Sequence, residues 1–444
     1  MGKGLTKLII VLVLIAVAAW ALLGRGNHKP NVIVILVDTL RADHMSFNGY
    51  ERQTSPVLDA FAAESLNFTS AFVGATWTAP SVASIFTGLY PSAHGMMPPN
   101  SRVKAAEKFS FKLSQDLKLF AEVFKEQGYQ TAGVSANPWI GQGFGYTQGF
   151  DYFYSPGHIT GAQVNEKAFG LIDKWRSPDK PLLLYLHYID PHDPYSAPKP
   201  FKNFFKGKIA DDRYNDEAQD LIARYDSEIR YVDNQIGELF NKLKASGLYD
   251  DSVIVLISDH GEQFWERGNH GHGLALFNEE LRVPFVLRMP GGKSAETIEE
   301  PVSSVDLYPT LLDLIGAKPA AGLHGVSLLS DRKSWKDRAI LMEISRRYNY
   351  KGYISPEGQK FIASYDLEKG LYVDPKQAKE YELYDFKNDP LEQTKITNPS
   401  NLELFKSVFE RAFGRIGKDA GKYKVDSMEM NDKTLKELET LGYF

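Results

Sequence analysis

Asn31-Val-Ile-Val-Ile-Leu-Val37 is an unbroken β-branched and apolar run that stops abruptly at Asp38. It is too short for a stable helix and has no polar face. It therefore reads as a strand buried on both sides, as in a parallel sheet. Similar runs recur at residues 131–135, 181–187, 252–258 and 284–287. Helical patterns lie between them, residues 117–127 closing on Gly128 and 225–246 closing on Gly247. Strands alternating with amphipathic helices predict an α/β fold with a large, mostly parallel sheet covered by helices on both faces. There is no internal repeat and no low-complexity tract.

The pattern changes near Arg338. Shorter alternating runs appear, Lys360-Phe-Ile-Ala-Ser-Tyr365 and Tyr381-Glu-Leu-Tyr384, followed by helical stretches at 401–413 and 433–441. The chain of 444 residues thus divides into an N-terminal segment (1–27), a large main domain (28–335) and a small C-terminal α+β subdomain (336–444). Lys3 and Lys7 precede sixteen apolar residues, 8–23, the layout of a signal sequence or short signal anchor. The expectation is a retained single-pass anchor with the basic side inside and the main domain outside the cytoplasm. The alternative is cleavage near Ala19-Trp20-Ala21 and release. Met1-Gly2 with Thr6 also fits a myristoylation pattern, but the apolar run accounts for the same segment better. The formal net charge is −5 with no long basic run, which argues against a nucleic-acid partner. No cysteine is present, so disulfides, thiolate metal sites and thiol nucleophiles are excluded.

Ligands of open α/β sheets bind beyond the carboxyl ends of the strands. Here those ends are crowded with chemistry. The first run ends in Asp38. The run at 181–187 ends in His187-Tyr-Ile-Asp190-Pro-His192-Asp193, and the run at 252–258 in Asp259-His260-Gly261-Glu262, with His270 and His272 close behind. One such histidine is more often structural than functional. Five of the ten histidines after two strands favour a metal centre. Thr78 stands just ahead of Pro80, a residue suited to the start of a helix that would close on Gly88. A hydroxyl at a helix N-terminus can be a simple cap. Bound also to a metal, it can ionise and attack phosphorus or sulfur.

Taken in order, Asp38, Thr78-Ala-Pro80-Ser81 with Thr87-Gly88, Pro191-His192-Asp-Pro194 and Ser258-Asp259-His260-Gly261-Glu262 resemble the sulfatase family of the alkaline phosphatase superfamily. Val305-Asp306-Leu307-Tyr308-Pro309-Thr310, Gly325-Val326-Ser327-Leu328 and Glu382-Leu383-Tyr384-Asp385 extend the likeness from Asn31 to about Phe413. The resemblance implies an alkaline-phosphatase-like sandwich with a small C-terminal subdomain. Its departures carry information too. Sulfatases proper have Cys or Ser, matured to formylglycine, where this chain has Thr78, and Arg where it has Val82. They also have a second Asp where it has Thr39, Asn where it has His260 and commonly Lys where it has His272. Threonine already bears a β-methyl group and so cannot yield that aldehyde. The set Asp38, Thr78, Asp259 and His260 is similar to the metal site of threonine-nucleophile relatives, the phosphoethanolamine and phosphoglycerol transferases and some phosphodiesterases. Imidazole at 260 shifts the preferred divalent ion from calcium towards zinc or manganese, with calcium and magnesium as alternatives.

The resemblance assigns Thr78 as nucleophile, and His192 and His272 to substrate contact and general-acid work. His187 and His270 read as supports that orient a ligand. Asp190 and Glu262 stay open between metal ligand and hydrogen-bonded support. Arg41 and Asp43 read as structural, and His28, His44, His158 and His324 receive no functional role. The expected activity is hydrolysis of an anionic ester, a sulfated or phosphorylated small molecule, glycan or lipid headgroup. Thr78 chemistry places phosphodiesters first. A sulfuric ester hydrolase, a membrane-anchored headgroup transferase and a degenerate headgroup- or glycan-binding protein are the alternatives.

Overall fold

The computed structural model describes residues 29–97, 109–292, 295–319, 321–370, 372–397, 399–423 and 425–441. The expected N-terminal anchor therefore lies outside the described residues, among which no helix is long and apolar enough to cross a membrane.

The main sheet contains β1 (Asn31–Val37), β2 (Leu66–Phe68), β3 (Gln130–Ser135), β4 (Tyr152–Tyr154), β5 (Leu182–Tyr188), β6 (Ser252–Ser258), β7 (Phe285–Arg288) and β8 (Glu296–Ile298). Their spatial order is β8-β2-β7-β6-β1-β5-β3-β4. β1 runs parallel to both β5 and β6, and every residue of these three strands is buried. Uninterrupted apolar runs form here because helices cover both faces, so no position along the strand meets water. Each fully buried Val, Ile or Leu contributes about 1.5–3 kcal/mol of transfer free energy. The half containing β1, β3, β4, β5 and β6 is wholly parallel, whereas β7 pairs antiparallel with both β6 and β2. Composition alone groups the 284–287 run with the parallel strands. It reverses because the chain between β6 and β7 supplies only a four-residue helix, Asn278–Leu281, too short to cross over the sheet.

The covering helices include α1 (Pro56–Ala62), α2 (Thr78–Thr87), α3 (Phe120–Glu126), α4 (Gly161–Gly170) and α5 (Asp216–Ala245). α5 starts nine residues before the predicted position, because its first turns are too polar to show a periodic apolar face. The Asn215 side chain caps it by accepting from the Ala218 amide at 2.9 Å. α2 closes on Gly88 in the left-handed conformation, as predicted, but begins two residues before Pro80, so Thr78 is its first residue.

The C-terminal region forms a four-stranded antiparallel meander: β9 (Ile340–Ser345), β10 (Asn349–Ile354), β11 (Gln359–Tyr365) and β12 (Glu380–Asp385). Its own apolar layer joins Tyr353, Phe361, Phe409 and Phe413, the last two from the helix Pro399–Ile416. The sheet is tied to the main domain by Glu343, which accepts from the Ser92 amide and hydroxyl at 3.1 and 2.7 Å and pairs with Lys351. After the helix the chain returns. Asp426–Glu429 pairs with Phe109–Lys112, and Leu438 enters the main core.

Candidate active site

Three segments converge at the carboxyl edge of the central strands. Asp38 follows β1, Asp259 and His260 follow β6, and Thr78 opens α2. All four side chains are inaccessible to solvent. One ligand atom from each of Asp38, Asp259 and His260 can be chosen so that all lie within 4.8 Å of one another. Thr78 Oγ1 is 3.2 Å from His260 Nε2.

Each carboxylate is held by one oxygen and offers the other. Asp38 Oδ2 accepts from Asn137 Nδ2 at 2.6 Å and lies 3.1 Å from His187 Nε2. Asp259 Oδ1 accepts from the amides of Thr39 at 3.3 Å and His260 at 3.0 Å. Asp38 Oδ1 and Asp259 Oδ2 are buried without a hydrogen-bond partner, 3.7 and 3.5 Å from His260 Nε2. His260 Nδ1 faces the Gly261 carbonyl at 2.9 Å, which in the neutral ring fixes the proton there and leaves the Nε2 lone pair free to bind. Two orphaned carboxylate oxygens and one imidazole lone pair directed at a common region is a donor set that fits a divalent cation.

The electrostatics agree. Burial alone would push the Asp38 carboxyl up. The His187 hydrogen bond and the charges of His192, His260 and His187 bring it below the usual carboxylate range instead. Asp259 is driven well above that range by burial and by Asp38. Two facing carboxylates in a dry site do not both stay ionised without a cation between them. Burial also depresses His260, and depresses His272 further with the help of His260, His192 and Arg346.

The backbone is shaped to hold these groups. Thr39 adopts φ = +52°, rare for a β-branched residue, and this bend turns its amide onto Asp259. A Cβ at Gly261 would stand 2.0 Å from the Glu279 carbonyl oxygen. Only glycine therefore lets the loop after β6 lie against the 279–280 backbone, where Gly261 and Glu262 donate at 2.8 and 2.9 Å. Arg41 fastens the same loop, donating to the Glu262 carbonyl at 2.9 Å while paired with Asp43 and Glu266.

The other expected residues divide. His272 lies beside the cluster, its ring 4.4 Å from that of His260 and 5.0 Å from that of His192. Glu262 is a support, its Oε1 3.1 Å from His272 Nδ1. His192 directs Nδ1 to the Asp193 carbonyl at 2.6 Å. His187 touches Asp38, as a ligand-orienting group does. Asp190 instead accepts from the Gly161 amide at 2.9 Å, and burial pushes it up to about 6. His270 stacks on Trp265 at 4.9 Å. His44 pairs with Asp226, and His28 lies outside the described residues. Asn137, two residues past β3, is absent from the sequence reading, because an uncharged amide beyond a strand looks the same as an ordinary loop residue.

Comparison with known proteins identifies the family. The sulfatase family model matches residues 30–317, and the model for the C-terminal part of N-sulphoglucosamine sulphohydrolase matches 268–415. An ulvan-active sulfatase of Formosa agariphila is 27% identical over 345 residues, covering 68% of this chain and 64% of that protein. An arylsulfatase of Clostridium perfringens is 24% identical over 83% of this chain and 90% of its own length. Among solved structures, BT4656, in complex with its substrate D-glucosamine-2-N,6-O-disulfate, superposes with a TM-score of 0.74 at 19% identity, covering 89% of this chain and 99% of its own. The phosphonate monoester hydrolase of Agrobacterium radiobacter gives 0.68 at 19% identity over 91% and 100%. The chain is thus an ester hydrolase of the alkaline phosphatase superfamily and belongs to the sulfatase family.

Proposed function

We propose that the chain hydrolyses sulfate esters carried by a glycan or another small anionic molecule, using Thr78 as nucleophile at a divalent-metal site of Asp38, Thr78, Asp259 and His260. The observation that carries this reading is the placement of Thr78 Oγ1 at a helix N-terminus, 3.2 Å from His260 Nε2, the same nitrogen that two orphaned carboxylate oxygens approach to 3.7 and 3.5 Å. A bound divalent ion would favour the alkoxide of a coordinated hydroxyl and polarise the ester. Thr78 Oγ1 attacks sulfur as the ester S–O bond breaks, and the proton it loses passes through His192 or His272 to the leaving alcohol. Water then attacks sulfur, returning the Thr78 hydroxyl and releasing hydrogen sulfate. Imidazole at 260 favours zinc or manganese over calcium or magnesium. The domain works outside the cytoplasm, held by the apolar segment at 8–23 or released after its cleavage.

Sulfate stands first because the similar proteins carry it in their names and in a bound substrate. Phosphodiester hydrolysis is the second reading, favoured by Thr78 itself. A formylglycine hydrate sheds sulfate by elimination, whereas threonine must be displaced from the transferred atom. Phosphothreonine offers that route at phosphorus with metal assistance. The two ester types share size and single charge, so one cleft accommodates both.

The test is hydrolysis of matched aryl sulfate, aryl phosphodiester and aryl phosphomonoester by the full-length protein loaded with manganese or zinc. Dominant sulfate turnover that disappears in Thr78→Ala supports the leading reading. Dominant diester turnover with the same dependence transfers the assignment to a phosphodiesterase. Turnover that survives Thr78→Ala removes the covalent mechanism from both.

A further inference from the structure

A singly charged ester bound at Thr78 presents non-bridging oxygens that need a donor of positive charge. The two positions where sulfatases commonly carry such a group hold Val82 and His272. Val82 is apolar and buried, and His272 directs Nδ1 at Glu262 Oε1, 3.1 Å away. Arg41 is committed to Asp43, Glu266 and the Glu262 carbonyl.

The C-terminal meander brings another cation to the place. Arg346 opens the three-residue turn joining β9 to β10, where its amide donates to the Tyr348 carbonyl at 3.0 Å. Its guanidinium carbon lies 5.0 Å from the ring centroid of Trp77, the residue before the nucleophile. Its Nη1 is 3.1 Å from the position a Cβ on Gly273 would take, next to His272. The absence of a side chain at 273 therefore makes room for the guanidinium. Its charge reaches both His260 and His272. These contacts come from different segments and locate Arg346 between the residue preceding Thr78 and the residue following His272, at the partly exposed rim of a buried cluster.

We propose that Arg346 binds the anionic group of the substrate, supplying from the C-terminal subdomain the cation that Val82 does not provide. The proposal rests on the reading of the Thr78 cluster as the ester-cleaving site. A guanidinium suits the role because it donates two parallel hydrogen bonds to neighbouring oxygens of a sulfate or phosphate group. Trp77 beneath it restricts its orientation through a cation–π contact.

The test is calorimetric binding of inorganic sulfate and of inorganic phosphate to the metal-loaded full-length protein and its Arg346→Met and Arg346→Lys variants. Metal affinity, thermal midpoint and ester kinetics are measured on the same samples. Arg346→Met should weaken anion binding roughly 10-fold or more, the effect of losing charged hydrogen bonds. It should raise KM for the ester and leave metal affinity and thermal midpoint unchanged. Arg346→Lys should recover part of the loss. Wild-type anion affinity in Arg346→Met overturns the proposal, as does absence of anion binding by the wild type or a loss confined to metal affinity or thermal midpoint. Arg346-dependent anion binding by a protein that cleaves no ester would remove the hydrolase reading and leave this one standing. Unchanged ester kinetics in Arg346→Met would do the reverse.

Discussion

A β-branched residue at φ = +52° costs of order 1–3 kcal/mol, and Thr39 bears that strain immediately after Asp38. What it gains is an amide directed at Asp259, so strain in one ligand's neighbour orients another ligand. Asn137 acts similarly through its 2.6 Å bond to Asp38 Oδ2, which leaves Oδ1 for the cation. Groups that orient metal ligands typically contribute ~10–100-fold in affinity. Asn137→Ala should therefore weaken zinc or manganese binding by about that factor, measured by competition with a chelator, without abolishing it. His260→Ala, which removes a ligand, should weaken it further. Equal affinity in His260→Ala would show that the ion sits elsewhere. Periodicity marks the strand ends and the helix start where Asp38, Asp259, His260 and Thr78 stand, but it is the likeness to sulfatase relatives that groups them as one metal site. Asn137 and Arg346 were not legible in the sequence. An amide beyond a strand and an arginine in a hairpin turn carry no local signature of chemistry.

At the scale of elements, the long central strands were readable nearly to the residue, since burial on both faces leaves no ambiguity in an apolar run. The helix starts were less so, because capping groups come from far away. Ser55 makes no side-chain cap to α1; instead Asp233, on α5, accepts from the amides of Val57 at 3.2 Å and Leu58 at 2.9 Å. Nothing near Pro56 in the sequence announces that partner. Burial pushes the Asp233 carboxyl up to about 7, well above its value in an unfolded chain. Between those two values the folded state holds more protons than the unfolded one, so stability falls as pH rises. The contribution is fully present below the unfolded value and is lost as pH passes through about 7. Urea unfolding at pH 5 and pH 8 should show a decline in the wild type that is smaller in Asp233→Asn. Asp233→Ala should cost about 0.5–2 kcal/mol at pH 5 through loss of the cap.

For the whole molecule, the joint between main domain and meander decides whether the two behave as one body. Glu343 is fully buried at that joint, with Ser92 on one side and Lys351 on the other. Removing one partner of a buried ion pair strands the other charge and costs about 3–5 kcal/mol. Glu343→Ala should lower stability by about that amount. In the wild type, fluorescence and circular dichroism should report a single coincident transition. The sequence marked the change of texture near Arg338 but not this joint, because a charge among short alternating strands looks like a solvent-facing residue. The joint also fixes where the turn after β9 can reach. Every group that handles the metal or the leaving oxygen stems from the main domain, while Arg346 rides on three residues between two paired strands. A tip of that kind can change length or composition without disturbing either strand. Over evolutionary time the range of molecules accepted can therefore drift while the reaction itself is inherited intact, so relatives with the same core can come to consume different polymers.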